Sequence, residues 1–379
     1  MNLKNGGNVE HIDFFSFKNV PPALKETWLN SIARVVDSGR FIGGPIVEEF
    51  ENSWAQYLSV NHAIGVNNGF DAIKVALHVL GIGPGDFVAV PAHTFIATWL
   101  AVESVGATPI GIDCTESGLI DLNELEMSGV EFSAVIPVHM HGQMVNMPRL
   151  MQWAKNKGAV VVEDCAQAHG AEYEGKKAGT WGDIGAFSFY PTKNLGAFGD
   201  AGAIVTDNTE LALKLRSYIN YGSSQGDKYT YNMRGINSRL DPIQAAVLLV
   251  NLQSLDEWNL ARIRIAERYK KGLNRTTIKI FPFEKNSVYH HFIIFSANRD
   301  AVIKELMGRG ISTEVHYPRS ASENFHKLNT SSNALTYKCA ESLARQTLSL
   351  PISPWISEKE IDYIIQSLID IEDLVTREV

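Results

Sequence analysis

Cysteine is scarce. The 379 residues hold three, Cys114, Cys165 and Cys339, too few and too scattered for a zinc site or a disulfide framework. Cys114 and Cys165 stand at strand ends and read as small buried hydrophobes. Positive charge is short as well: Lys and Arg number 34 against 42 Asp and Glu, and the net charge of −8 leaves no basic stripe for a nucleic acid. No apolar run approaches the roughly 18 residues that a membrane span requires. The opening MNLKNGGNVEHIDFF lacks the basic-then-apolar order of an export signal. Repeats and low-complexity segments are missing too. These gaps argue against nucleic-acid and membrane partners, show no metal centre, and leave a cytoplasmic enzyme as the expectation.

What is present alternates. Short apolar runs at 62–67, 86–91, 108–113, 134–139 and 159–164 are interleaved with helical patterns at 72–80, 94–105 and 148–157. Two further runs, 184–189 and 203–206, bring the strands to about seven. Apolar strands separated by helices predict an α/β fold with a mostly parallel sheet covered on both faces. Before it come an irregular arm over 1–20 and helices over 22–38 and 46–58. After it, 240–268 reads as one long amphipathic helix, broken by nothing stronger than Asn259. Beyond lie a strand at 290–296, a helix at 300–309, an extended piece at 313–316, and a helical pair at 335–347 and 357–373. The chain is longer than one core usually covers. A large domain over 1–250, arm included, and a smaller C-terminal α/β domain over 251–379 are therefore expected.

In open α/β sheets, ligands bind beyond the carboxyl ends of the strands. Gly69 and Phe70 follow the first strand and open a helix, so their amides and the helix dipole make a phosphate cradle. Phe95 follows the second strand and brings an aromatic ring to the same edge. Asp164 ends the apolar run 160–162 and needs a partner there. A helix N-terminus or an arginine is the ordinary partner, and a cationic ring nitrogen is the functional one. Lys193 lies in the loop between 184–189 and 203–206. There Gly196, Gly199 and Gly202 allow close backbone approach or positive φ. A solvated hairpin lysine is the ordinary alternative, but a lysine that comes straight off a buried strand has a lowered pKa and can form Schiff bases. Cradle, ring-face aromatic, acid and lysine together are what a pyridoxal phosphate enzyme requires.

The motifs that carry this chemistry are NGFDA at 68–72, PAHTFIAT at 91–98, EDCAQAHGA at 163–171 and SFYPTKNLG at 188–196, followed by GINSRLD at 235–241 and HYP at 316–318. In order and spacing, from about residue 12 onward, the chain resembles the DegT/DnrJ/EryC1/StrS family of pyridoxal phosphate-dependent sugar aminotransferases. The resemblance implies the aspartate aminotransferase fold (fold type I), with pyridoxal 5'-phosphate as cofactor. It makes Lys193 the cofactor-linked lysine and proton shuttle, and Asp164 the partner of the ring nitrogen. Gln167 falls near the ring hydroxyl and Phe95 on the ring face, while Gly69, Phe70 and Ser188 fall on the phosphate. Asn237 matches a residue that reaches the phosphate from the other subunit, which implies a homodimer with shared active sites. His316, Tyr317, Tyr190 and Arg239 fall where the sugar nucleotide is held.

The form of the lysine loop is similar to enzymes making dTDP-3-amino-3,6-dideoxyhexoses from dTDP-3-keto-6-deoxyhexoses, with L-glutamate as amino donor. Amination at C4 of a dTDP- or UDP-4-keto sugar is the alternative, and a non-catalytic, cofactor-binding regulator the alternative of another class. Three places depart from the family pattern. His141 replaces a usual tyrosine, Phe295 stands where an arginine often ends a strand, and 319–328 lacks a usual His-Leu-Gln run. All three bear on substrate contacts and leave the cofactor site unchanged.

Overall fold

A computed structural model describes residues 11–224, 227–328 and 336–377. Its main sheet has seven strands: β1 His62–Val66, β2 Phe87–Pro91, β3 Thr108–Ile112, β4 Ala134–Val135, β5 Val160–Asp164, β6 Ile184–Ser188 and β7 Gly202–Thr206. Their order across the sheet is β1-β7-β6-β5-β4-β2-β3. Strands β3, β2, β4, β5 and β6 run parallel, whereas β7 is antiparallel to both neighbours. Helices such as Ile96–Ser104 and Met147–Lys157 carry the chain between parallel strands. Between β6 and β7 there is only a loop, and without a crossover helix the chain returns antiparallel. β4 is shorter than the apolar run 134–139. Pro137 has no N–H to give the ladder, and pairing resumes only as a bridge between Val138 and Asp164.

The strands are apolar along their length because both faces are covered. Phe50, Trp54 and Phe187 pack on one side, and Ile64, Val75, Leu77 and Trp99 on the other. Cys114 and Cys165 are buried, and no cysteine is bridged among the described residues.

The long helix expected over 240–268 is two helices, Pro242–Leu252 and Leu255–Leu273. Neither proline nor glycine marks the break. The turn is closed by Ser254 N–H donating to Asn251 O at 3.0 Å. Asn251 itself is buried, accepting from Trp28 Nε1 at 2.6 Å and donating to Gly196 O at 2.8 Å. These bonds hold the first helix on the main core, and the second carries Ile265, Tyr269 and Leu273 into another.

That second core surrounds a two-stranded antiparallel sheet, β8 Phe292–Phe295 and β9 Thr347–Leu350. Helices Arg299–Gly308 and Glu358–Asp370 supply Val302, Leu306, Ile361, Ile364 and Leu368 to it. The last of these helices opens with a capping box, Ser357 with Glu360, which explains its sharp start. The helix before it is Lys338–Gln346; position 335, where the sequence pattern starts it, lies outside the described residues. The extended piece 313–316 joins the sheet only through a bridge between Glu314 and Ser349.

The arm is a strap between the two cores. Ile12 N–H donates to Gly310 O at 2.8 Å, and Ser312 N–H donates to Ile12 O at 2.9 Å. Ile12 is buried in the C-terminal core, and five residues on Phe17 packs against Trp28, Phe198 and Trp355.

Candidate active site

The lysine loop is pinned by its backbone. Phe189 N–H donates to Ala201 O at 2.8 Å, Ala197 N–H to Phe189 O at 2.7 Å, and Lys193 N–H to Tyr190 O at 2.8 Å. Gly196, Gly199 and Gly202 all keep ordinary negative φ; two of them serve close approach. A Cβ on Gly202 would stand 2.6 Å from the Asn68 carbonyl carbon, and one on Gly196 would overlap the Pro191 carbonyl. Lys193 therefore enters the site from a fixed turn.

It enters a cleft of about 490 Å³ at the carboxyl ends of the strands. Gly69, Phe70, Phe95, Asp164, Gln167, Ser188, Tyr190, Lys193, His316 and Tyr317 all line it. Asn237 and Arg239 do not. Asn237 is exposed and bridges to Asn220, whose side-chain oxygen also accepts from Arg239; the Arg239 guanidinium lies 5.4 Å from the Tyr221 ring centre.

Burial drives the electrostatics. Desolvation lowers the Lys193 amine to about 8, and the carboxylate of Asp164 works against that shift. Asp164 is 6% exposed. Burial pushes its pKa up, while donors pull it down: Ala166 N–H at 3.1 Å and Thr98 Oγ1 at 2.9 Å, with Lys193 and His139 adding charge. The Lys193 amine is thus held near the pH at which it can exchange a proton.

At the other end of the cleft, Asn68 caps the helix Gly69–Val79, accepting from Asp71 N–H at 2.8 Å with its side chain and from Ala72 N–H at 3.0 Å with its carbonyl. Among the described residues the amides of Gly69 and Phe70 have no acceptor, as is usual for helix N-terminal amides. Ser188 faces them so closely that a Cβ on Gly69 would lie 2.6 Å from the Ser188 Cβ. Phe95 is 54% exposed at the mouth, its ring centre 5.5 Å from that of Tyr317. The Tyr317 hydroxyl accepts from Gln167 Nε2 at 3.0 Å, and Gln167 Oε1 accepts from His141 N–H at 2.7 Å.

The remaining wall is built of imidazoles. His291 and His316 stack at 3.8 Å, and His290 Nδ1 lies 3.0 Å from Asn194 Oδ1. Burial lowers His93 to about 4 and His316 to about 3, and it holds His141, His290 and His291 well below the ordinary value. All five are neutral near pH 7. His141, in left-handed backbone at φ 60°, stands behind the cleft with its Nδ1 3.0 Å from that of His291. Phe295 stacks on Phe281 with Lys279 over its ring. Residues 321–328 are helical and pack on the helix Ile96–Ser104, Phe325 against Trp99. None of these three departures lines the cleft.

Thr98, Asn194 and His291 carry contacts that the sequence did not assign. Thr98 lay in the quoted run 91–98, one turn after Phe95; nothing local marked the other two. A buried trio, His139, Glu163 and Cys165, has metal-like spacing. Glu163 already accepts the amides of Gly179, Trp181 and Gly182 at 2.7–3.0 Å, so it ties the loop after β5 to the start of β6.

A desolvated lysine and a buried acid, with a helix N-terminus lining the same cleft, fit the needs of a pyridoxal phosphate enzyme. The sequence profile of the DegT/DnrJ/EryC1/StrS aminotransferase family matches residues 22–369, and the chain belongs to that family. It is 42% identical over 375 residues to a dTDP-3-amino-3,4,6-trideoxy-alpha-D-glucose transaminase from Streptomyces venezuelae, covering 97% of both chains. The crystal structure of S. venezuelae DesV in complex with a ketimine intermediate superposes with a TM-score of 0.92, at 41% identity over 96% of this chain and 99% of that one. NtdA from Bacillus subtilis with bound cofactor PMP gives a TM-score of 0.90 at 31% identity, over 96% of this chain and 86% of that one. The fold is that of the pyridoxal phosphate aminotransferases, the cofactor is pyridoxal 5'-phosphate, and the substrates are sugar nucleotides. Among the described residues no helix is long and apolar enough to cross a membrane.

Proposed function

We propose that the enzyme aminates C3 of a dTDP-linked 3-keto-6-deoxyhexose, giving a dTDP-3-amino-3,6-dideoxyhexose, with L-glutamate as donor. The observation that carries the chemistry is the Lys193 amine, desolvated to a pKa of about 8 beside Asp164. The choice of carbon rests on the lysine-loop motif and on the product named for the S. venezuelae relative.

Bound in the cleft, pyridoxal phosphate supplies the electron sink that lets an amino group pass between two carbonyl carbons. Lys193 Nζ takes a proton from the α-carbon of the donor and returns one at the sugar carbon; a pKa near 8 suits both directions. Asp164 would meet the ring nitrogen of bound pyridoxal phosphate, and the donors Thr98 and Ala166 favour its carboxylate form there. The Gly69 and Phe70 amides and Ser188 hold the phosphate. Phe95 covers the ring face, and Gln167 stands on the hydroxyl side. His316, Tyr317 and Tyr190 hold the sugar nucleotide.

Asn237, which lies away from this chain's own cleft, serves the cleft of a second copy in a homodimer; Arg239, expected at the sugar nucleotide, does not line this chain's cleft. The division into residues 1–250 and 251–379 belongs to the same proposal and is supported by the separate core around β8 and β9.

The test is direct. Protein loaded with cofactor is given L-glutamate and dTDP-3-keto or dTDP- and UDP-4-keto sugars, and products are read by mass and NMR. A 3-amino product is expected. Turnover confined to 4-keto sugars would overturn the choice of carbon.

A further inference from the structure

Behind the imidazole wall lies a second chamber of about 310 Å³. It shares Tyr190, Thr192, His290, His291 and His316 with the main cleft, so the two spaces adjoin along that wall. Its distinctive residue is Arg262, from the helix Leu255–Leu273.

Arg262 is 2% exposed and has no carboxylate partner among the described residues. One amine donates to Ile352 O at 2.9 Å, while Nε is buried without an acceptor. Burial alone draws its pKa down to about 10, so it remains a cation. The neighbouring helix arginine, Arg268, ion-pairs with Glu358 and Asp362. A buried guanidinium left without a counter-ion carries a large desolvation penalty. His290 lines both spaces, and the charges of Lys193 and Arg262 both bear on it.

We infer that Arg262 is the anchor of an anion subsite, which takes the carboxylate that a dicarboxylic amino donor carries away from its reacting carbon. The alternative source of an anion is the diphosphate of the sugar nucleotide. Glu314, which also lines the chamber, favours the smaller charge. The guanidinium fork matches a carboxylate in two parallel hydrogen bonds. Phe14 lines the chamber from the arm, its ring centre 5.6 Å from that of His316. The inference rests on the transaminase reading for its donor, but the subsite itself can be tested without turnover.

Binding of glutarate to the cofactor-loaded enzyme, followed by calorimetry, is the first measurement. Wild-type protein is expected to bind it, Arg262→Met to bind it about ten- to a hundredfold more weakly, the loss of one charge-assisted contact, and Arg262→Lys to fall between. Retained cofactor absorbance and an unchanged unfolding temperature identify properly folded variants. If Arg262→Met does not fold, the comparison is made with Arg262→Lys and Arg262→Gln.

The second measurement is half-reaction kinetics. In Arg262→Met the preference for L-glutamate over L-alanine should collapse, with the sugar-nucleotide half-reaction unchanged. A defect confined to the sugar-nucleotide half would assign the anion to the diphosphate and overturn the donor subsite. Equal glutarate binding in wild type and variants, or none in wild type, would overturn the subsite altogether. Arg262-dependent glutarate binding with no amination of any keto sugar would leave the subsite standing and sink the proposed activity instead.

Discussion

The two halves of the cleft are built on opposite principles. On the cofactor side, each charged group has its partner in the chain: Asp164 is met by Thr98, Ala166 and Lys193, and the loop that presents Lys193 is closed by backbone bonds. On the substrate side, His290, His291 and His316 stand neutral, and Arg262 stands charged and unpaired. The first half fixes its charged groups before its ligand arrives and leaves only the Gly69 and Phe70 amides for it to meet. The second leaves polar capacity open for molecules that come and go. Preorganisation is thus concentrated where the bound group never changes.

The comparison breaks most severely at Lys193. Replacing it with Ala removes both the cofactor anchor and the proton carrier. Turnover should fall by at least about ten-thousandfold, the top of the range for one acid–base group, and the absorbance band of lysine-linked cofactor should vanish. A variant that kept both would sink the assignment.

Asp164→Asn comes next. It keeps shape and hydrogen bonding to Thr98 but loses the charge, and a charged contact of this kind is worth about ten- to a hundredfold. Cofactor retention in dialysis and kcat should both drop by that order, while the dissociation constant of the sugar nucleotide should hardly move. An equal loss of sugar-nucleotide affinity would erase the distinction between the halves.

The gentlest probe is pH. The neutral amine of Lys193 is the form that attacks an aldehyde, and its folded-state pKa lies below the ordinary lysine value. Uptake of pyridoxal phosphate by the apoprotein should therefore rise with pH up to about 8 and level off above it. Between pH 5 and 7 the cleft histidines are already neutral, so the stopped-flow trace should show no second inflection there. An inflection near 6.5 would show a histidine on that wall titrating freely.

Much of the cofactor half was legible in the sequence, and the reason is geometric. Parallel strands all end at one edge, so residues just after strands, such as Gly69, Phe95, Asp164 and Ser188, converge without any long-range knowledge. The substrate half depends on contacts far apart in the chain. His290 meets Asn194 across 96 residues, and Arg262 meets Ile352 across 90. Arg262 sits in a helix that also carries Arg264 and Arg268, and nothing local tells the buried one from its neighbours. The helix break at Gln253–Ser254 was hidden for a similar reason, since it depends on Asn251 reaching Trp28 and Gly196. Asn237 and Arg239 lie outside this chain's cleft; for Asn237 a place in a partner's site was expected, whereas Arg239 was expected at the sugar nucleotide.

The strap at Ile12 has a consequence for how the molecule is made. Ile12 is synthesised before its hydrogen-bonding partners, Gly310 and Ser312, which lie far along the chain from it. Closing so distant a contact is slow, so the main sheet can form while the arm still waits. Phe14 and Phe15 line the chamber beside Arg262. The donor pocket is then the last part of the enzyme to be finished, after the cofactor half is already able to fill.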